Sequence, residues 1–213
     1  MSTINRYSEL GLMIDKIDLD LFKRIIHEGR HNPDLLDSYS INQFRAKERL
    51  INHVEFLGID ENSEIVIMGG WYGSIFLPAF RHVKKITLID KDKEVINTAE
   101  NRLFYDYKNV KFRCQDLFDD LKHNEYRSAN LFINTSCEHM APMKEWPMWE
   151  WICRKNKPYF AFTSNDMFDI EGHINCVNNI EEFKKQLPDT SKVLTENEVT
   201  DERGSRYLLV GKI

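Results

Sequence analysis

The sequence lacks both the long apolar run of a membrane protein and the surplus of basic residues typical of nucleic-acid-binding proteins. No apolar run approaches the roughly 20 residues of a membrane-spanning helix, and the N-terminus has no signal-peptide core. The formal net charge of −5 argues against nonspecific binding to a nucleic-acid backbone. The four cysteines (Cys114, Cys137, Cys153 and Cys176) form no CxxC pair, which is typical of reduced thiols inside a cell. We therefore expect a cytoplasmic protein whose partner is neither a nucleic acid nor a membrane.

The length and the apolar pattern indicate one main domain that follows an N-terminal pair of helices. The 213 residues suffice for a large core. Apolar residues at helical spacing predict an amphipathic helix over about residues 19–29, with Leu19, Phe22, Ile25 and Ile26 on its apolar face. A second helix is predicted over about residues 40–57. We place a helical extension at residues 1–58 and the main domain at residues 59–213.

One stretch near the start of the main domain has the layout of a nucleotide-binding βαβ unit. An apolar run at 65–68 predicts a buried strand, and a glycine turn at 69–73 follows it. An apolar helical segment at 74–83 leads to a second apolar run at 86–89, which ends in Asp90. In such units the glycines let the backbone approach a ligand closely, and the acid accepts hydrogen bonds from the ribose hydroxyls.

This stretch resembles motifs I and II of the class I S-adenosylmethionine (SAM)-dependent methyltransferases. Gly69 and Gly73 match the first and third glycines of the family's G-x-G-x-G turn. Trp71 replaces the middle glycine, and Ile67 stands where the preceding strand usually carries an acid. The resemblance implies SAM as cofactor. The residues that it assigns to the cofactor are Gly69, Gly70, Trp71, Gly73, Asp90, Lys91, Asp116, Leu117 and Asn134.

The rest of the chain continues the strand–helix alternation and closes with a hairpin pattern. Together with the resemblance, this predicts an α/β fold with a Rossmann-like, doubly wound seven-stranded sheet. The sheet is expected to be mostly parallel with an antiparallel last strand, and the N-terminal helices are added to it. Asp116 follows the third predicted strand, where the family's acid lies near the adenine amino group; the alternative is an aspartate that caps a turn.

Two polar residues interrupt the apolar stripe of the second N-terminal helix. Gln43 and Lys47 share the helical spacing of Leu50 and Val54, although burial of unpaired polar groups is costly. Either both side chains reach solvent at the helix end, or they face the cofactor, where Lys47 meets a carboxylate. In the resembled family, helices before the first strand often cover the cofactor, so residues 1–58 are expected to cover the cofactor site.

The segment after the fourth predicted strand is rich in groups that transfer protons. Its Glu138-His139 pair resembles the Glu-His pair that follows the fourth strand in small-molecule methyltransferases, beside cofactor and substrate. We expect His139 to act as a general base and Glu138 to orient it; the alternative is that Glu138 caps a helix and His139 packs at its start. The residues expected to contact the substrate are Ser136, Trp146, Asn165, His173 and Asn175.

The sequence leaves other chemistry open. Cys137-x-His139 and His173-x-x-Cys176 offer zinc-ligand types, but the spacing is that of no recognised finger and methyl transfer from SAM needs no metal, so no metal is expected. The Asn-Pro-Pro-[Tyr/Phe] motif of amino-methylating nucleic-acid enzymes is absent, which favours a small polar molecule as substrate. Transfer or cyclisation of the aminocarboxypropyl arm of SAM is one rival function. A non-catalytic binding module that contacts a partner through the Trp-rich segment, Met143 to Trp151, is another.

Overall fold

The computed structural model describes residues 18–119, 125–153 and 157–213, which form one seven-stranded sheet with helices packed around it. In chain order the strands are β1 (Glu64–Met68), β2 (Lys85–Asp90), β3 (Val110–Cys114), β4 (Leu131–Asn134), β5 (Tyr159–Asn165), β6 (Lys192–Asp201) and β7 (Gly204–Lys212). Across the sheet the order is β3-β2-β1-β4-β5-β7-β6. β7 pairs antiparallel with β5 and β6, and the remaining neighbours pair in parallel. This topology confirms the predicted fold class.

Seven α-helices lie within the described ranges. They are α1 (Leu19–Gly29), α2 (Pro33–Asp37), α3 (Ile41–Val54), α4 (Phe76–Ala79), α5 (Lys93–Thr98), α6 (Trp149–Cys153) and α7 (Ile180–Lys184). Side-chain caps fix several starts: the Asp18 carboxylate accepts the Leu21 N–H at 2.8 Å, and the Ser40 hydroxyl accepts the Gln43 N–H. None of these helices is both long and apolar enough to cross a membrane.

The structure corrects two details of the helix predictions. The predicted segment at 74–83 contains only one α-helical turn, because the Lys84 N–H already bonds the Ser63 carbonyl and so leads the chain into β2. The predicted apolar face of α1 is wrong for Leu19, Phe22 and Ile26, which are exposed; the buried residues are Leu21, Ile25 and Gly29. Residues 1–17 of the predicted N-terminal extension lie outside the described ranges.

The central strands of the sheet are buried on both faces. Successive β1 residues alternate between two core clusters: Ile65 and Ile67 pack into one, and Val66 and Met68 into the other. The first cluster also contains Leu21 and Phe44, so helices α1 to α3 pack directly against this face of the sheet. The second is rich in aromatic side chains, among them Phe132, Trp146, Trp149 and Phe162. The chain runs from β1 to β2 and β3 on one side and then returns to β4 on the other side of β1. Because the strand order reverses between β1 and β4, a ligand crevice is expected at the carboxyl ends of these strands.

Candidate active site

A cleft of about 770 Å³ lies at the carboxyl ends of the central strands and gathers most of the predicted site residues. The predicted residues that line it are Gln43, Lys47, Gly69, Gly70, Trp71, Asp90, Lys91, Asp116, Leu117, Ser136, Glu138 and His139. The lining residues that the sequence reasoning did not single out are Ile89, Gln115, Phe118, Thr135, Met140, Ala141, Gly172 and Ile174. Most of these directly follow or precede a predicted residue at a strand end, so the strand-end rule could have found them. Gly172 and Ile174 arrive on the loop after β5.

The turn after β1 has the backbone of a glycine-rich ligand loop even where glycine is replaced. Gly69 and Gly73 have φ values of 57° and 70°, and Trp71 also takes a positive φ of 49°. A side chain rarely occupies this region, so Trp71 keeps the conformation of the glycine it replaces at a cost in strain. A Cβ on Gly70 would lie 2.9 Å from the Leu88 side chain, which leaves no room for one.

Gly73 serves packing and not ligand contact. Gly73 was predicted to bind the cofactor, but the structure does not place it among the residues that line the cleft. A Cβ there would lie 2.6 Å from Leu88 and 2.7 Å from Leu77. Its N–H bonds the Gly70 carbonyl at 2.8 Å and closes the turn. The glycine is therefore required by the close approach of α4 to β2.

Asp90 is fixed by the turn that it faces. One carboxylate oxygen accepts the Trp71 N–H at 2.8 Å, and the other accepts the Asp92 N–H at 3.0 Å. Each oxygen keeps acceptor capacity on the cleft side because a carboxylate has about four lone-pair sites. A positioned carboxylate at the end of β2 suits a ligand that offers two neighbouring hydroxyls, as ribose does.

Lys47 is a buried cation at the edge of the cleft. The structure contradicts the reading in which it reaches solvent, since only 5% of its surface is exposed. Its Nζ lies 5.6 Å from the centroid of the Trp71 ring, within cation–π range. Burial lowers the pKa of Lys47 to about 8, and the charge of Asp37 opposes that shift. An anionic group in the cleft would restore the charged form, so the site favours an anion at this end.

The Asp116–Leu117 segment forms the opposite wall, and Trp146 holds it from behind. The Asp116 carboxylate accepts the Phe118 N–H at 2.9 Å, so this residue both makes a turn and lines the cleft. Trp146 Nε1 donates to the Leu117 carbonyl at 2.9 Å, and the ring is only 1% exposed. The prediction that Trp146 contacts substrate is therefore wrong. The aromatic side chains of the second core cluster enclose its ring.

Asn134 also supports the site from below the surface. The prediction that it binds the cofactor is wrong, because its side chain is fully buried and does not line the cleft. Its Oδ1 accepts the Ser136 N–H at 2.8 Å, and the Ser136 hydroxyl donates to the Gly69 carbonyl at 3.1 Å. Asn134 thereby ties the turn after β4 to the turn after β1.

Glu138 and His139 line the cleft beside Gly172 and Ile174, but Glu138 does not orient the His139 ring. That ring bonds the Gly172 carbonyl through Nδ1 at 3.0 Å, so Gly172 takes the orienting role predicted for Glu138. Glu138 is 8% exposed, and within the described ranges its Oε2 has no hydrogen-bond partner. Burial raises the pKa of Glu138 to about 7, against opposing hydrogen bonds from its own backbone N–H and from Asn165.

The loop after β5 is fastened to this end of the cleft. The N–H groups of Ile174 and Asn175 both donate to the Glu138 carbonyl, at 2.8 and 2.9 Å. Asn175 Nδ2 donates to Cys137 O at 3.2 Å and to the Gln186 side chain, so Asn175 joins two loops; it is not part of the cleft lining. His173 packs its ring edge-on against His139, with centroids 4.5 Å apart, and therefore lies behind the lining residue.

A smaller cavity of about 110 Å³ has several wall residues in common with the cleft, and Glu138, Lys47, Gln43 and Thr135 line both. The predicted substrate residue Asn165 lines this second cavity. Three arginines not singled out from the sequence also line it: Arg49, Arg203 and Arg206. The Arg49 Nε and Ser164 Oγ atoms in its wall have no hydrogen-bond partner among the described residues. Sequence could not place these arginines, since they come from α3 and the distant β6–β7 hairpin.

Comparison with known proteins gives no match to a family model and none to a curated protein. Among solved structures, the N-methyltransferase NodS of Bradyrhizobium japonicum in complex with S-adenosyl-L-homocysteine is 12% identical, with a TM-score of 0.65 over 91% of this chain and 96% of that one. The magnesium protoporphyrin IX methyltransferase of Synechocystis with bound S-adenosylhomocysteine is 12% identical, with a TM-score of 0.62 over 91% and 92% of the two chains. A SAM-dependent methyltransferase of Aquifex aeolicus is 17% identical, with a TM-score of 0.58 over 77% and 89%. The chain thus has the fold of the class I SAM-dependent methyltransferases.

Proposed function

We propose that this protein is a SAM-dependent methyltransferase that acts on a small polar molecule. The observation that carries the proposal is the Asp90 carboxylate, which is fixed on the turn after β1 and faces a large cleft in the methyltransferase fold. Bound SAM supplies a methyl group on a sulfonium sulfur, which is open to in-line attack. The protein's own part is to hold the cofactor and to align the acceptor with it.

Each wall of the cleft matches one part of the cofactor chemically. Asp90 is positioned to accept the two ribose hydroxyls, and the Asp116–Leu117 wall to border the adenine. Lys47 and Gln43, on the inward face of α3, would hold the methionine carboxylate. Under this proposal α3, the part of the predicted N-terminal extension that supplies both side chains, covers the cofactor.

The far end of the cleft would receive the acceptor. Glu138, His139 and Ser136 face it, and we assign Glu138 and His139 to activation of the acceptor. The adjoining cavity of about 110 Å³ has space for only a few atoms, and its unpartnered Arg49 Nε–H and Ser164 hydroxyl are hydrogen-bond donors. These groups favour a small acceptor that carries an oxygen-rich polar group, and the formal net charge of −5 disfavours a nucleic acid.

Replacement of Asp90 tests the cofactor assignment. Asp90→Ala should weaken SAM binding at least about tenfold, because charge-assisted hydrogen bonds to the ribose hydroxyls contribute roughly 1.5–3 kcal/mol each. Calorimetry with SAM and with S-adenosylhomocysteine measures the effect. Glu94→Ala, which removes an exposed carboxylate in α5, is the matched control and should leave the affinity unchanged. Equal affinities in the wild type and Asp90→Ala would remove the main support for the function.

Replacement of Lys47 tests which part of the cofactor it meets. Lys47→Met keeps an unbranched side chain that is one atom shorter and removes its charge, so it should weaken SAM more than it weakens decarboxylated SAM. Titration by calorimetry gives both affinities under the same conditions. If the two ligands lose affinity equally, Lys47 does not contact the carboxylate.

The pH dependence of cofactor affinity follows from the same residue. With its pKa lowered to about 8, Lys47 is charged in the free protein at about pH 7 and mostly neutral at about pH 9. A bound carboxylate favours the charged form, so binding above the free-state pKa must take up a proton. SAM affinity should therefore be constant below about pH 8 and fall by up to about tenfold per pH unit above it. The amino group of SAM titrates in the same way with the wild type and with Lys47→Met. The part of the fall in SAM affinity that is seen only with the wild type is therefore due to Lys47.

A further inference from the structure

Three side chains at the acceptor end offer ligand atoms to a common point. Glu138, His139 and His173 each provide a carboxylate oxygen or a ring nitrogen, and these atoms all lie within 4.8 Å of one another. The group draws on the turn after β4 and the loop after β5, which the backbone bonds to the Glu138 carbonyl hold together. This differs from the zinc set that the sequence suggested, because neither Cys137 nor Cys176 belongs to it.

The hydrogen bonds around the two histidines leave a free lone pair on each ring. His139 Nδ1 contacts the Gly172 carbonyl at 3.0 Å, and His173 Nδ1 contacts the Met167 carbonyl at 2.9 Å. A carbonyl oxygen only accepts, so each Nδ1 carries the proton and each Nε2 is an acceptor. Metal-binding histidines typically have this arrangement, in which a backbone carbonyl fixes the tautomer and the ring orientation.

The third ligand, Glu138, has one carboxylate oxygen without a partner. Glu138 is more than nine-tenths buried, and its Oε2 makes no hydrogen bond with any residue that the structure describes. An unpaired buried carboxylate oxygen is costly, and a pair of imidazole acceptors beside it offers no proton to relieve that cost. Three acceptors that converge without a donor are stabilised by a cation.

We propose that Glu138, His139 and His173 bind a divalent first-row transition metal at the acceptor end of the cleft. Two imidazoles and one carboxylate suit Zn²⁺ and its neighbours, whereas Mg²⁺ prefers oxygen ligands. Metal–ligand distances of about 2.0–2.2 Å require the three side chains to move together by roughly an ångström on binding. Since Glu138 and His139 line the cleft, the remaining coordination position faces the acceptor.

A cation at this position would activate the acceptor of the proposed methyl transfer. This part of the inference rests on the proposed function. A metal-bound hydroxyl or water loses its proton far more easily than a free one. An acceptor oxygen that binds the open position would thus become a better nucleophile. Glu138 and His139 then act as ligands, and the proton of the acceptor leaves to solvent or to a nearby base.

The test is metal binding by the full-length chain, after removal of metal with a chelator. Zn²⁺ titration by calorimetry should give one ion per chain, and Co²⁺ should give the visible absorption of a low-symmetry site. Glu138→Gln and His173→Ala should each weaken Zn²⁺ at least about tenfold, since even the loss of an outer-shell partner often costs that much. Glu138→Gln keeps the shape of the buried side chain, and circular dichroism verifies that each variant is folded.

Two matched variants separate this site from adventitious binding. His82→Ala removes an exposed histidine elsewhere, and Cys176→Ser removes the thiol that lies 3.5 Å from His173 Nδ1. Both should keep the Zn²⁺ affinity of the wild type. The inference is overturned if the wild type binds no Zn²⁺, if Glu138→Gln binds it as tightly, or if only Cys176→Ser loses it. SAM affinity is measured in the same preparations. If SAM binds but Zn²⁺ does not, the proposed function stands and the metal site is rejected. If Zn²⁺ binds but SAM does not, the metal site stands and the proposed function is rejected.

Discussion

Replacement of Trp146 by alanine is expected to lower the free energy of unfolding by about 3–5 kcal/mol, the usual range for removal of a large buried aromatic side chain. The ring is 1% exposed and packs against Tyr126, Phe132 and Trp149 at centroid distances of 5.8, 5.8 and 4.8 Å. Trp146 Nε1 also donates to the Leu117 carbonyl, so its loss should weaken SAM binding as well. Urea unfolding followed by circular dichroism measures the first effect.

Two other tryptophan variants make this prediction specific. Trp146→Phe keeps much of the ring packing but loses the N–H, so it should cost about 1–3 kcal/mol and free the Leu117 wall. Trp151 is 39% exposed, and Trp151→Ala should cost much less than Trp146→Ala. If Trp146→Ala were no more destabilising than Trp151→Ala, Trp146 would not be a core residue. The prediction that Trp146 contacts the substrate would then stand again.

Much of the fold was predictable because its signals are local. The apolar runs of β1 and β2, the turn between them and Asp90 are contiguous in sequence, and strand–helix alternation then restricts the sheet to few topologies. The apolar face of α1 was not predictable in the same way. Leu19, Phe22 and Ile26 are as apolar as Leu21 and Ile25, and only the packing of α1 against the first core cluster decides which face is buried.

The candidate site also contains residues that could be located from the sequence and residues that could not. Residues at strand ends, such as Asp90, Asp116 and Glu138, could be located because parallel strands deliver their carboxyl ends to one edge. Trp146 and Asn134 were misassigned because sequence position near the site does not show whether a side chain points into the cleft or beneath it. Arg206 was missed because it reaches the site from the last strand.

The next large effect concerns catalysis. His139→Ala should reduce formation of S-adenosylhomocysteine by at least about a hundredfold, the lower part of the range for groups that activate an acceptor. SAM affinity should change little, because the variant keeps the glycine turn, Asp90 and Lys47, which we assign to the cofactor. His82→Ala is the control. Loss of SAM affinity in parallel with loss of rate would assign His139 to the cofactor and not to the acceptor.

The measurement that tests the central claim most directly is the identity of the sulfur product. The protein is incubated with SAM alone and with SAM plus a metabolite extract, and both samples are analysed by mass spectrometry. The methyltransferase account predicts S-adenosylhomocysteine only where the extract supplies an acceptor. Methylthioadenosine from SAM alone would contradict it and indicate attack on the aminocarboxypropyl arm, and neither product in either sample, with SAM bound, would indicate a binding module.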